Sequence, residues 1–410
     1  MAEAPKRRTP APRASATTSR TTAARAKPAA AESPLPLLRP KLLFVLSADF
    51  GNLSDALYFV KGEPFDTVLL MPERLRAVSG NVPVPALTYT SPDDVLEAVA
   101  RERPDIVFLL SGYLYTVNGI FDITAVQRIV MSLRRTGVPT VTSDPFCGLL
   151  ARLDDATFSD AHPRKPWLME HFGQLHALFK DIPHLYLAEP RDDPGAPAVW
   201  FFNEHVLVSP SALDEARQLL ASAFRMDPDR RRWLFILSTE DYGFQLAERP
   251  SFNDLLHARL DEVARAGRQP VLVAPELCVT AMQTRRSITG LVLLPFCEHG
   301  SFTALLQDAE YAFYWNVFSN SIPMRGANGL PLFFFDRGHM ARAVPPVLEA
   351  GMRWYYPGTE LTYLDLTQPL AGDELARLAA GQQQSMAGAR DNFRRAPSPE
   401  TMVRTLLARR

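Results

Sequence analysis

Short apolar runs of strand length recur along this chain. Each is followed by a polar step and then by a stretch with helical spacing. Leu42 to Leu46 is the first run, followed by Ser47 to Asn52 and a helix expected over 53–60. Residues 66–71 return to a strand. Ser91 and Pro92 open a helix running to Arg103, with Asp93 and Asp94 in its first turn, where the helix dipole favours negative charge. Residues 106–110 form a strand that stops at Ser111 and Gly112. A helix over 123–136 ends at Gly137, and a strand over 139–142 stops at Ser143 and Asp144. Strands alternating with helices predict βαβ units and a parallel sheet.

Residues 146–225 are less regular. Helices are expected at 146–153, 167–180 and 213–224, with a strand at 184–188 and short apolar pieces at 200–202 and 205–208. The charged segment Met226 to Arg232 reads as a linker, after which the pattern restarts. Strands are expected at 233–237, 270–274, 291–294, 311–315 and 330–335, and late strands at 354–356 and 363–366. Residues 238–243 read as a loop, 252–265 and 301–308 as helices. Residues 373–395 and 399–410 read as closing helices. The expected fold class is α/β, with two doubly wound, Rossmann-like parallel-sheet domains facing a cleft. The first spans 41–225 and the second 226–370, with C-terminal helices over 371–410.

Composition narrows the function classes. Residues 1–40 are rich in Ala, Pro, Thr and Ser, and carry Lys6, Arg7, Arg8, Arg13, Arg20, Arg25, Lys27 and Arg39 against Glu3 and Glu32. Such a segment buries too little apolar surface to offset its ordering entropy, so a disordered basic tail is expected. The formal net charge of −1 gives no whole-chain case for nucleic-acid binding. No apolar run approaches the roughly 20 residues that span a bilayer. Peripheral contact with a membrane surface stays compatible with this composition. The three cysteines, Cys147, Cys278 and Cys297, are sparse and far apart, as in a reducing compartment, so a cytoplasmic location is expected. Neither CxxC nor HExxH occurs, so no bound metal and no cofactor are expected.

The densest chemistry lies in Tyr311 to His339. Two apolar strands flank a polar turn, Asn316, Ser319, Asn320 and Ser321, and a short helix from Pro323 to Gly329. Small side chains let backbone N–H groups approach an anion, although the same residues also cap helices. Arg325 offers a bidentate partner for phosphate. Ser238, Thr239, Glu240 and Asp241 follow the second domain's first strand, and Glu298 and His299 follow another strand. All are candidates for a ligand beyond the strands' carboxyl ends. His339, just past the last of these strands, is a weaker candidate of the same kind. In the first domain, Asp49 and Asp144 stand at strand ends, where a carboxylate serves as general base or caps the next helix.

The succession Leu294 to Phe296, Leu305 to Glu310, Tyr311 to Trp315, Asn316 to Ser321, and Gly329-Leu330-Pro331 leading into Phe333 to Asp336 resembles the donor-binding half of GT-B glycosyltransferases. The resemblance covers a short part of the chain closely and the rest as architecture. It implies a nucleotide-sugar donor bound by Ser238, Thr239, Glu240, Glu298, His299, Asn316, Ser319, Asn320, Ser321 and Arg325. An unidentified acceptor would face loops 47–52, 111–119 and 143–147, with Asp49 or Asp144 as the base. One position departs from the pattern. Many of these enzymes carry a ribose-binding glutamate on the helix before the Gly-x-Pro step, and here Met324, Arg325, Gly326 and Ala327 stand there. That departure keeps two alternatives open: a non-catalytic protein of the same fold that binds a ligand or partner, and a nucleotide-sugar epimerase.

Overall fold

The computed structural model describes residues 39–47, 50–160, 162–295, 297–356 and 359–409. The tail expected over 1–40 lies outside the described residues except for its last two positions, and Asp49 lies outside them too.

Seven parallel strands form the first sheet: β1 (Lys41–Val45), β2 (Asp66–Pro72), β3 (Ala86–Tyr89), β4 (Ile106–Leu109), β5 (Thr140–Ser143), β6 (His184–Tyr186) and β7 (Ala198–Trp200), in the order β3-β2-β1-β4-β5-β6-β7. β1 is central and apolar on both faces, as a covered parallel sheet requires. Leu43 and Val45 enter one core layer, Leu42 and Phe44 the other. The second sheet has five strands: β8 (Arg232–Ile236), β9 (Gln269–Val273), β10 (Val292–Leu294), β11 (Tyr311–Tyr314) and β12 (Leu332–Phe334), in the order β10-β9-β8-β11-β12. In each sheet the strand order reverses at one place, between β1 and β4 and between β8 and β11. Such reversals open a crevice at the strands' carboxyl ends.

Local signals explain most boundaries. Ser91 and Asp94 close a reciprocal capping box on the helix Pro92–Glu102. Asp122 caps Ile123–Thr136, which ends at Gly137 with φ 69°.

Several expectations are corrected. Residues 239–248 form a helix rather than a loop, capped by Ser238. Residues 146–153 form turns rather than a helix, because the Asp144 carboxylate accepts the N–H groups of Phe146, Leu150 and Ala151 and winds the segment around itself. Trp354 and Tyr355 end the helix Pro345–Tyr355 rather than forming a strand. The buried spacing Val347, Ala350, Trp354 is helical, and the aromatic run conceals it. Tyr363 makes a single parallel bridge to Phe334. The chain returns twice to the first domain. Helix Pro345–Tyr355 packs on the layer that holds Leu43 and Val45, and helix Pro399–Leu407 places Met402, Val403 and Leu406 in the layer of Leu42 and Phe44.

The phosphate contact expected of Arg325 is overturned. Its side chain is buried, 1% exposed. Its guanidinium donates to the carbonyl oxygens of Leu306 (2.6 Å), Ala309 (3.1 Å) and Pro331 (2.6 Å). These carbonyls lie at the end of the helix His299–Asp308 and just before β12, so Arg325 ties two element ends together. Burial lowers its pKa to about 10. Replacing Arg325 with Met leaves three buried carbonyls without this donor. Each such loss costs about 1–3 kcal/mol, so urea denaturation should show a stability drop of about 3 kcal/mol or more. Unchanged stability would contradict this role.

Candidate functional site

The carboxyl ends of both sheets face one cleft of about 1070 Å³. Its walls come from the two places where strand order reverses.

On the first-domain side, a polar chain crosses from β1 to β4 and β5. The Ser47 hydroxyl donates to Asn52 Oδ1 (2.6 Å), Asn52 Nδ2 donates to Ser111 Oγ (2.9 Å), and the Ser111 N–H donates to Ser143 Oγ (2.8 Å). Ser111 sits in the left-handed region, φ 48°, which is uncommon for a residue with a side chain and recurs at ligand sites. Asn52, Asp55, Ser111, Asn118 and Ser143 all line the cleft.

On the second-domain side, everything converges on Asp241, whose side chain is 1% exposed. The Ser238 hydroxyl donates to Asp241 Oδ2 (2.8 Å) and accepts the Asp241 N–H (3.0 Å), the N-cap geometry of the helix. Asn316 Nδ2 donates to Oδ2 (2.6 Å) from the loop after β11. From the loop after β12, the His339 N–H donates to Oδ1 (2.9 Å) and His339 Nδ1 meets the same oxygen at 2.8 Å. Gly338 makes this approach feasible. Its φ is +93°, and an added Cβ would lie 2.4 Å from Asn316 Cβ. His339 lines the cleft, and with Nδ1 held by Asp241, Nε2 is the nitrogen left for a ligand. Burial opposes the imidazolium, but the hydrogen bond and charge of Asp241 outweigh it and raise the His339 pKa. Burial likewise opposes the Asp241 charge, and the bonds from His339 and Asn316 outweigh it, so its pKa is lowered.

The candidates named in the sequence separate clearly. Asp144, Ser238, Thr239, Glu240, Ser319 and Asn320 line the cleft. Asp144 is 4% exposed, and burial pushes its pKa up to about 6 against the three N–H groups it accepts. Four others are corrected. Asn316 holds Asp241 and does not line the cleft. Ser321 is buried, its hydroxyl shared between Ser319 (2.7 Å) and Tyr314 (3.2 Å). Glu298 Oε2 accepts the N–H of Asn81 at 3.4 Å, and His299 Nδ1 lies 3.5 Å from Ser54 Oγ. Both residues thus bridge to the first domain, and neither lines the cleft. The convergence of Ser238, Asn316 and His339 on Asp241 is absent from any one stretch of sequence. The spacing Ser238-x-x-Asp241, a helix-start signature, marks half of it.

Among the described lining residues there is no Lys or Arg. Asp55, Asp144 and Glu240 are the carboxylates, and His339 is the one group able to carry positive charge. Among the described residues, no group of three His, Cys, Asp or Glu side chains is placed to hold a metal, and no helix is long and apolar enough to cross a membrane.

No protein-family model matches this sequence, and comparison with curated proteins finds no match. Solved structures do match. The glycosyltransferase SnogD from Streptomyces nogalater is 16% identical with a TM-score of 0.53, over 91% of this chain and all (100%) of that one. UGT2 of Phytolacca americana, solved with UDP-2-fluoro-glucose and pterostilbene, is 13% identical with a TM-score of 0.51, over 92% of this chain and 100% of its own. The glycosyltransferase VinC, solved with DTDP, is 12% identical with a TM-score of 0.50, over 90% and 100% of the two chains. These likenesses cover nine-tenths or more of this chain, and with the paired parallel sheets they show that it has the two-domain GT-B fold.

Proposed function

We propose that this chain is a glycosyltransferase that takes a nucleotide-sugar donor on its second domain and an acceptor hydroxyl on its first. The observation that carries this reading is the pair of facing strand-order reversals. One presents neutral hydrogen-bonding groups at Asn52, Ser111, Asn118 and Ser143, and the other presents Thr239, Ser319, Asn320 and the Asp241-held His339. A GT-B fold with this cleft brings a donor and an acceptor together and limits the access of water.

The donor diphosphate belongs on Ser319, Asn320 and His339. Asn320 caps its helix by position and not by its side chain, and its amide makes no hydrogen bond among the described residues. As the sugar departs, negative charge grows on the diphosphate, and the His339 imidazolium opposes it from a fixed position. Glu240 stands where it can accept from sugar hydroxyls. Asp144 is the proton acceptor in this scheme. Its Oδ1 takes a single described N–H, from Phe146, and its pKa of about 6 lies in the range suited to a general base near neutrality.

The lack of Lys and Arg in the described lining favours a second reading, a non-catalytic protein that binds a ligand in the same cleft. A panel of nucleotide sugars, with and without hydroxyl-bearing acceptors, separates the readings. Binding with release of nucleoside diphosphate supports transfer. Binding without release supports the second reading, and conversion of the sugar with no acceptor added indicates an epimerase. A folded protein that binds no donor contradicts the proposal.

His339 supplies a pH test. Its charge is present below its raised pKa and lost as pH rises through it, a window starting above the ordinary value of 6.5. Diphosphate affinity, measured by calorimetry, should therefore fall as pH rises through that window. In His339→Gln, affinity at pH 6 should drop about tenfold, the scale of one charge-assisted hydrogen bond, and the slope should vanish.

A further inference from the structure

A second cavity, a groove of about 590 Å³, shares a wall with the cleft. His339, Met340 and Val347 line the cleft, while Arg337, Ala341, Arg342, Pro345 and Leu348, from the same stretch of chain, line the groove. The charges of the groove are of two kinds. Asp336 and Arg342 are mutually satisfied. The Asp336 carboxylate accepts from the N–H groups of Arg337 (2.6 Å) and Gly338 (3.3 Å), from Gln245 Nε2 (2.5 Å) and from Arg342 (2.8 Å), and Arg342 also pairs with Glu248 (2.5 Å). Arg249 and Arg337 are exposed, and neither has a carboxylate within ion-pair distance among the described residues. Glu349 is the one lining carboxylate without an ion-pair partner among them. Both free cations are anchored. The Arg249 N–H donates to the Gln245 carbonyl (2.9 Å), and the Arg249 carbonyl accepts the Phe252 N–H (2.8 Å). Arg337 lies over the ring of Tyr363, its guanidinium carbon 5.9 Å from the ring centre. Tyr363 is 42% exposed, and its backbone bridges to Phe334. A guanidinium braced on an aromatic face loses less freedom when it takes a ligand. The described lining of the cleft, by contrast, holds no Lys or Arg.

We propose that this groove is a second ligand site, separate from the cleft, for a small molecule that bears a phosphate monoester. Arg249 and Arg337 present two guanidinium forks whose charge nothing nearby pairs. A phosphate monoester near neutral pH carries a charge of about −1.5 to −2 and enough acceptor oxygens to engage both forks. A carboxylate carries half that charge and fills one fork. The site does not depend on the donor reading, because no residue lines both cavities.

Calorimetry on the full chain at low salt tests this, with inorganic phosphate and acetate as probes. Phosphate should bind about tenfold or more tighter than acetate, the scale of one added charge-assisted fork. Both arginines are exposed, so the double variant Arg249→Gln, Arg337→Gln should keep its fold, checked by an unchanged thermal midpoint. Its phosphate affinity should fall about tenfold or more. His339→Gln should leave phosphate binding in the groove intact, and Glu349→Gln should tighten it about twofold by removing a like charge. Phosphate binding lost in His339→Gln and kept in the double variant would assign the anion to the cleft and overturn the proposal. Acetate bound as tightly as phosphate, or no phosphate binding by the unaltered chain, would overturn it as well.

Discussion

A single buried carboxylate organises the second-domain side of the cleft. Asp241 accepts hydrogen bonds from groups that follow three different strands: Ser238 after β8, Asn316 after β11 and His339 after β12. A charge this deep is stable only when its lone pairs are filled, and four donors fill them here. The consequence is geometric. Three loops that sequence alone leaves independent are held in one arrangement, and His339 is turned into the cleft with a fixed orientation. Neighbouring contacts reinforce the clamp. Gln245, one helical turn beyond Asp241, donates to Asp336, and Arg342 pairs with both Asp336 and Glu248.

Charge is distributed unusually around this clamp. The cleft is lined by carboxylates and neutral donors, while Arg325, on the helix beside it, is spent on backbone carbonyls. Arg325 satisfies element ends, and in the proposed reading His339 is the group that meets a ligand's charge. An imidazole in that role makes anion binding titratable near neutrality, which a guanidinium would not. The first-domain wall is complementary. Its serines and asparagines form a neutral hydrogen-bonded chain, suited to orienting a hydroxyl.

Much of the architecture was legible because local signals and global fold agree. Ser91 and Asp94 announce one helix, Gly137 ends another, and the restart after Met226 to Arg232 marks the second sheet. The site was legible only in part. A polar loop identifies where ligands gather and leaves open which side chains point inward. Ser319 and Asn320 face the cleft, while Ser321, one residue on, is buried against Tyr314. Glu298 and His299 occupy the expected loop and turn towards the first domain. Arg325 illustrates the same limit, since it lies one turn on from Ser321 on the buried face of the helix, where its guanidinium meets the carbonyls of Leu306, Ala309 and Pro331. The helix over 239–248 is hidden in the sequence because its acidic first turn resembles a solvated loop, and the burial of Asp241 depends on Asn316 and His339 arriving from far along the chain.

In the proposed reading the Asp241 clamp and the neighbouring Asn320 form a diphosphate site in the cleft. A crystal structure of the chain with a nucleoside diphosphate bound tests it most directly. Diphosphate oxygens are expected within hydrogen-bonding distance of the Asn320 amide and His339 Nε2. Diphosphate bound outside the cleft, for example along the surface groove lined by Arg249 and Arg337, with Asn320 and His339 untouched, would contradict it.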